Sequence, residues 1–240
     1  MALDAALLSA AAREGVCTLR LYAWNPPTLS FGRNEPALKR YDRAAIAARG
    51  LAVVRRPTGG RAVWHDREVT YAVAAPSGLF GSLRDTYHEI HAMLAGALTS
   101  LGAAVVLAAD RPAAGVGAGA CFASAAGGEV MALRGGKVVG SAQVRGEGAF
   151  LQHGSVLLAA EQDVVAGVTV GAADPPSASG LADLVAPERA TWEAVARAIH
   201  GSAAARWGAP ARASAPDPEL LRGAQDLAAR YGDPAWTWRR

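Results

Sequence analysis

The sequence predicts an α+β fold: a mixed, largely antiparallel sheet with helices packed on one side of it and a helical segment at the C-terminal end. Three observations lead there. Short apolar runs between 17 and 75, and again between 103 and 158, are separated by glycine- or proline-containing turns and read as strands. The stretches 3–14, 85–101, 191–207 and 218–231 carry apolar residues at helical spacing. Strands come in runs that helices follow, which is the α+β order.

Each element has its own warrant. Residues 3–14 form the first helix, and 17–24 a strand with Leu19 and Leu21 on one face. Asn25-Pro26-Pro27 turns the chain into a second strand, 28–32. Asp42 caps a short helix, 43–49, that ends at Gly50. Residues 51–54 and 61–64 flank Gly59-Gly60, which supply φ > 0, and the two are expected to pair as a hairpin. A buried strand, 68–75, runs on from it until Pro76-Ser77-Gly78. Asp85 begins a long helix with Tyr87 in its core face, ended by Gly102, and 103–108 is a strand. Residues 109–120 are a loop of small residues, whose glycines lack the βαβ surroundings of a dinucleotide site. The runs 129–133, 137–145 and 149–158 are expected as three consecutive antiparallel strands. Thr191 and Asp217 cap the last two helices, with Pro218 at a first helical position where its missing N–H costs nothing.

Composition narrows the function. Half of the 240 residues are apolar (51%) and the net charge is only +3, so a folded domain is expected and a disordered one is not. Basic residues are scattered without aromatic interleaving, which argues against nucleic acid. The most apolar run, 93–109, contains Thr99, Ser100 and Gly102 and splits into helix, turn and strand, so no membrane span is expected. Two cysteines make no disulfide framework and the opening segment is no signal peptide, so the cytoplasm is the expected compartment. Lys39 and Lys137 are the only lysines, against 22 arginines. A lysine that survives such a bias, as Lys137 does after Gly135-Gly136, is needed as lysine.

The stretch with most chemistry is Arg55-Arg56-Pro57-Thr58-Gly59-Gly60-Arg61-Ala62-Val63-Trp64-His65-Asp66. A diglycine loop exposes backbone amides, and Arg55, Arg56 and Arg61 add charge that pairs with carboxylate or phosphate. Read alone, it is an anion site or an arginine-rich hairpin tip.

Several motifs in one order extend that reading. Ser30-Phe31-Gly32-Arg33 precedes the loop. Glu68-Val69-Thr70-Tyr71, Gly136-Lys137-Val138-Val139-Gly140-Ser141-Ala142-Gln143 and Gln152-His153-Gly154-Ser155 follow it. Over about residues 1–160 this series resembles the lipoate-protein ligase and octanoyltransferase family, relatives of biotin protein ligase, and it resembles the octanoyltransferase branch most. The tail, Tyr231-Gly232-Asp233-Pro234-Ala235-Trp236, is similar as well. The resemblance implies a biotin/lipoate protein ligase-like fold, with a catalytic domain over 1–188 and a helical segment over 189–240 packed on it.

It also implies roles. Cys121, eight residues before Glu129, matches the acyl-carrying nucleophile of the octanoyltransferases, and thiolate chemistry suits acyl transfer. The run Ala123-Ser124-Ala125-Ala126-Gly127-Gly128 departs from the Pro-Ser-aromatic-Tyr run common in that branch. Cys17 is expected to be a buried structural cysteine. Lys137 matches a lysine that contacts the acyl carbonyl or carboxylate, and is expected to stabilise the oxyanion and keep the Cys121 thiolate charged. Substrate contacts are expected from Arg56, Thr58, Gly59, Gly60, Arg61, Ala62, His65, Gly140, Ser141, Ala142, His153 and Gly154. His88 and His91 share a helix face one residue short of the zincin spacing, and without further ligands no metal site is expected. The implied reaction moves an octanoyl or lipoyl group from acyl carrier protein to a lysine of a lipoyl domain or glycine-cleavage H protein, with no cofactor. The alternatives are a ligase using ATP and Mg²⁺ through lipoyl-AMP, and a non-catalytic acyl-binding member of the fold. Cys121 argues against the ligase, as does Arg61, where the ligases more often carry a third glycine.

Overall fold

The computed structural model describes residues 1–109, 128–146, 148–171, 177–208 and 215–239. In chain order the first half holds α1 (Ala2–Glu14), β1 (Thr18–Tyr22), β2 (Thr28–Phe31), α2 (Ala37–Arg40), α3 (Arg43–Ala48), β3 (Ala52–Arg55), β4 (Val63–His65), β5 (Glu68–Pro76) and α4 (Leu83–Ser100). The second half holds β6 (Val105–Leu107), β7 (Val130–Ala132), β8 (Val139–Gly146), β9 (Ala149–Leu157), α5 (Asp163–Ala166), α6 (Trp192–Trp207), α7 (Pro218–Gly232) and α8 (Pro234–Thr237).

The central sheet has the order β1-β5-β9-β8 and is antiparallel throughout. Val69, Tyr71, Val73 and Ala75 of β5 point to one face, where they meet Ile90, Met93, Leu94 and Leu98 of α4, with Val195 and Ile199 of α6 in the same core. Ala72 and Ala74 point to the other face, where Leu7 and Ala11 of α1 cover them. Helix α7 then packs on α1. Helices therefore cover both faces, not the one expected. A strand buried on both sides has no need of a polar face, which is why 68–75 reads as a nearly continuous apolar run.

The diglycine hairpin is corrected. β3 and β4 do not pair with each other; both pair with β2, β3 in parallel and β4 antiparallel, giving a second sheet of order β3-β2-β4. The loop between them crosses the end of β2. Gly32 makes the crossing possible, because a Cβ there would lie 1.9 Å from the Gly60 carbonyl oxygen. A core of Phe31, Tyr41, Ile46, Trp64, Val168 and Trp238 backs this sheet.

The expected run of three antiparallel strands holds in shortened form. Val130–Ala132 pairs with Val105–Leu107 and meets the start of the next stretch through an antiparallel bridge between Met131 and Lys137, while β8 and β9 form the long hairpin. Gly135 and Gly136, at φ 97° and 90°, make the tight turn that brings the chain back onto β7, where Ala132 N donates to the Gly136 carbonyl at 2.9 Å and Val138 N to the Val130 carbonyl at 3.0 Å. Helix α4 starts two residues before the expected Asp85, because Ser82 and Asp85 close a reciprocal capping box in which Asp85 is the third helical residue. Thr191, Asp217 and Asp42 cap their helices as expected. Cys17 lies exposed just before β1, not buried in it. Among the described residues no helix is long and apolar enough to cross a membrane.

Candidate active site

The diglycine loop is built from the inside by its own arginines. Arg56 donates through Nη1 to the Ser30 carbonyl (3.0 Å) and hydroxyl (2.6 Å), and through Nη2 to the carbonyls of Gly59 (3.1 Å) and Arg61 (2.8 Å). Arg55 is fully buried and gathers the carbonyls of Gly32 (2.6 Å) and Glu35 (2.8 Å) together with those of Trp236, Thr237 and Arg239 (each 3.0 Å). Arg55 thus holds main chain where the sequence suggested an anion, while Arg56 braces the loop through carbonyls and the Ser30 hydroxyl and also belongs to the lining of the cleft. Glu35 completes the brace, accepting from Gly32 N (3.1 Å), Ala62 N (3.3 Å) and the Tyr41 hydroxyl (2.6 Å). Arg61 is half-buried and Gly60 is exposed.

Next to this loop a cleft encloses about 330 Å³ of empty space, counted out to its open mouth. Gly140, Ser141 and Ala142 of β8 line it, and so do His153, Gly154 and Ser155 of β9. These two sequence motifs meet because the strands pair in that register, Ser141 opposite Gly154 and Ala142 opposite His153. Gly154 has to be glycine, since a Cβ would fall 2.2 Å from the Gly140 carbonyl oxygen. Arg56 and His65 reach the cleft as well. Thr58, Gly59, Gly60, Arg61 and Ala62 are not among its lining; Thr58 touches it through His153. Tyr22 and Trp24 line the cleft without having been singled out by sequence, and Thr70, named there only within its motif, joins them.

Three buried histidines surround this cleft, and each has Nδ1 on an acceptor and Nε2 on a hydroxyl. His65 faces Glu68 (2.8 Å) and Ser30 (2.6 Å), and its ring stacks on Trp24 at 4.5 Å. His153 faces Asp4 (2.9 Å) and Thr58 (2.6 Å). His91 faces the Gly128 carbonyl (2.7 Å) and Ser141 (2.7 Å). A carbonyl only accepts, so Nδ1 of His91 carries the proton and Ser141 donates to Nε2. Tyr71 sits 2.6 Å from the same hydroxyl, and Gln152 donates to Tyr71 at 2.9 Å. His91 therefore orients a serine of the cleft, and Tyr87, half-buried rather than core, stacks edge-on against it. Burial opposes charge on Asp4, but the His153 N–H and Arg20, at 2.6 Å, hold its carboxyl well below the usual range.

These burials set an acid sensitivity. Burial, with the Lys137 charge adding to it, pushes His91 down to about 3 from an ordinary 6.5. In that window the unfolded chain binds a proton that the folded chain does not, so acidification favours unfolding. His153, lowered by burial despite Asp4, acts in the same direction. The urea midpoint is expected to fall steadily as pH drops from about 6.5 towards 3, with His91→Gln flattening the slope. A slope identical in the variant would remove His91 from the account.

Lys137 is buried, and its ammonium meets Glu129 Oε1 at 2.5 Å. It does not line the cleft itself but lies one strand start away, three residues before Gly140. The Tyr87 hydroxyl reaches the same Glu129 oxygen at 3.4 Å. A buried ammonium needs a counter-charge; Glu129 entered the sequence reading only as the end of a spacing. Cys121 lies outside the described residues.

The model of the lipoyl protein ligase A/B catalytic domain matches residues 1–195. The chain belongs to the lipoyl protein ligase A/B catalytic domain family. Within this family it is similar to the Octanoyltransferase LipM of Kyrpidia tusciae, 47% identical over 169 residues, covering 66% of this chain and 61% of the relative. The Octanoyltransferase LipM of Moorella thermoacetica is 44% identical over 170 residues, covering 68% of this chain and 62% of the relative. The match thus spans about three-fifths of the length of these curated relatives. Solved lipoate-protein ligases share the fold at low identity. Lipoate-protein ligase A bound with ATP superposes with a TM-score of 0.82 at 19% identity, over 99% of this chain and 92% of that one. A bipartite lipoate protein ligase of Thermoplasma acidophilum, from an archaeal lipoylation system with its E2 lipoyl domain, gives 0.80 at 19%, over 99% and 89%.

Proposed function

We propose that the chain transfers an octanoyl or lipoyl group from acyl carrier protein to a lysine of a lipoyl domain or glycine-cleavage H protein, through a thioester on Cys121. The observation that carries the reading is the pairing of β8 with β9, which brings Gly140-Ser141-Ala142 and His153-Gly154 to one cleft with Lys137 buried at the start of the same stretch. The names of the curated relatives support transfer over ligation.

In the first half-reaction the Cys121 thiolate attacks the donor carbonyl, a new C–S bond forms, and the carrier thiolate leaves. In the second, the acceptor amine attacks, a C–N bond forms, the C–S bond to Cys121 breaks, and the amine loses a proton. Exchange between thioesters is nearly isoenergetic and amide formation runs downhill, so ATP is not required. Lys137 is the cation that stabilises the oxyanion of both steps. The acceptor lysine has to be neutral to attack, which costs about 4–5 kcal/mol at neutral pH from a reference pKa near 10.4.

Incubation with octanoyl acyl carrier protein and no acceptor is expected to leave a hydroxylamine-labile octanoyl adduct on Cys121, read by mass spectrometry. An unmodified protein that transfers acyl groups only when ATP and free octanoate are supplied would establish the ligase instead.

A further inference from the structure

Beside the C-terminal tail lies a group of arginines that the cleft does not use. The guanidinium carbons of Arg230 and Arg239 lie 4.0 and 4.1 Å from the centre of the same ring, Trp236. Arg239 also donates to the Arg33 carbonyl, which brings a third arginine to the cluster. Arg33 and Arg230 are exposed, and Arg239 and Trp236 are half-buried.

Among the described residues, none of the three has a carboxylate within ion-pair distance. Of the acids on the same stretches, Glu35 is buried beneath Gly32, Ala62 and Tyr41, Asp233 caps α8 through Ala235 N at 2.8 Å, and Asp226, exposed one turn before Arg230 on α7, forms no ion pair with it. Below the tail the buried Arg55 adds a further positive charge, held by carbonyls. Burial, and then Arg33 and Arg230, lower the pKa of Arg239, as expected where like charges crowd.

Cations gathered without a counter-ion repel in the free protein and are relieved when an anion docks. The cluster is also tied to the site. Arg33 N donates to the Thr58 carbonyl at 2.7 Å, so the cluster sits on the diglycine loop.

We propose that Arg33, Arg230 and Arg239, gathered about Trp236, form a docking surface for an acidic face of the carrier protein that delivers the acyl thioester. The proposal rests on the transfer reading above. The donor is the better fit of the two protein substrates, because its acyl chain rides on a phosphopantetheine arm. It thus offers a phosphodiester as well as carboxylates, and planar guanidiniums pair with both.

Charge reversal at the two exposed positions, Arg33→Glu with Arg230→Glu, tests it without touching the buried supports. Affinity for octanoyl acyl carrier protein, read by fluorescence anisotropy, is expected to weaken about tenfold, with a flatter dependence on salt than the wild type shows. In transfer assays the KM for the carrier-borne donor is expected to rise by a similar factor. The KM for the lipoyl domain, and the rate with octanoyl N-acetylcysteamine, a donor that lacks the carrier, should stay as they are. Unchanged carrier affinity would overturn the proposal. A rise confined to the lipoyl-domain KM would overturn it as well and hand the surface to the acceptor. Because binding is read without turnover, a chain that binds the carrier through these arginines but transfers nothing fails the functional reading alone. Normal transfer with unaltered carrier affinity fails the docking surface alone.

Discussion

Cys121→Ser is expected to abolish acyl transfer, and added ATP is not expected to rescue it. The serine hydroxyl has nearly the shape of the thiol but a far higher pKa, so the nucleophile of the first half-reaction is lost. An oxygen ester is also a poorer acyl donor to an amine than a thioester, so the second half-reaction suffers with the first. A ligase that activates its substrate as an adenylate needs no thiol and would tolerate the change. One substitution therefore separates the two chemistries. Purified variant, acyl carrier protein donor and lipoyl domain suffice, with product followed by mass. A serine variant that lipoylates the acceptor from free lipoate and ATP would replace transfer by ligation.

How much of this was legible in the sequence differs from residue to residue, for physical reasons. The two halves of the cleft wall were legible because each is a local pattern: Gly140-Ser141-Ala142 and His153-Gly154 sit on strands that a glycine turn folds together, so short-range signals carry them into register. Helix caps were legible for the same reason, Asp42, Thr191 and Asp217 each acting within their own first turn. The split of β3 and β4 around β2 was not, because two apolar runs about a diglycine look alike whether they pair or straddle a third strand. What decides it is the close approach of Gly32 to Gly60, a long-range contact.

Arg55 was misread for a related reason. A guanidinium suits an anion, but it suits a set of carbonyls equally well, and carbonyls leave no mark in a sequence. Those that Arg55 takes from the tail lie more than 180 residues away along the chain. The histidine relays share this property. His91 finds its serine 50 residues on and His153 its aspartate 149 residues back, so neither pairing has a spacing to recognise.

Lys137→Ala is expected to cost roughly a hundredfold or more in turnover, the scale of losing a principal oxyanion donor. It is also expected to destabilise the fold, because the Glu129 carboxylate loses the cation 2.5 Å away in a place where both side chains are almost wholly enclosed. Breaking a buried pair by removing one partner costs about 3–5 kcal/mol, whereas removing both charges together is often close to neutral. A loss of activity in the single variant would therefore mix two causes, and the pair has to be taken out as a unit. Lys137→Met combined with Glu129→Gln places a side chain of similar length and a neutral amide where the charges were. Urea melts are expected to show most of the lost stability restored, while turnover of octanoyl acyl carrier protein stays at the level of Lys137→Ala. The gap between recovered folding and unrecovered rate measures what the ammonium does for the reaction, as opposed to what the ion pair does for the core. Near-normal turnover in the double variant would reduce Lys137 to a buried structural charge and leave the oxyanion of the transfer reaction without its proposed partner.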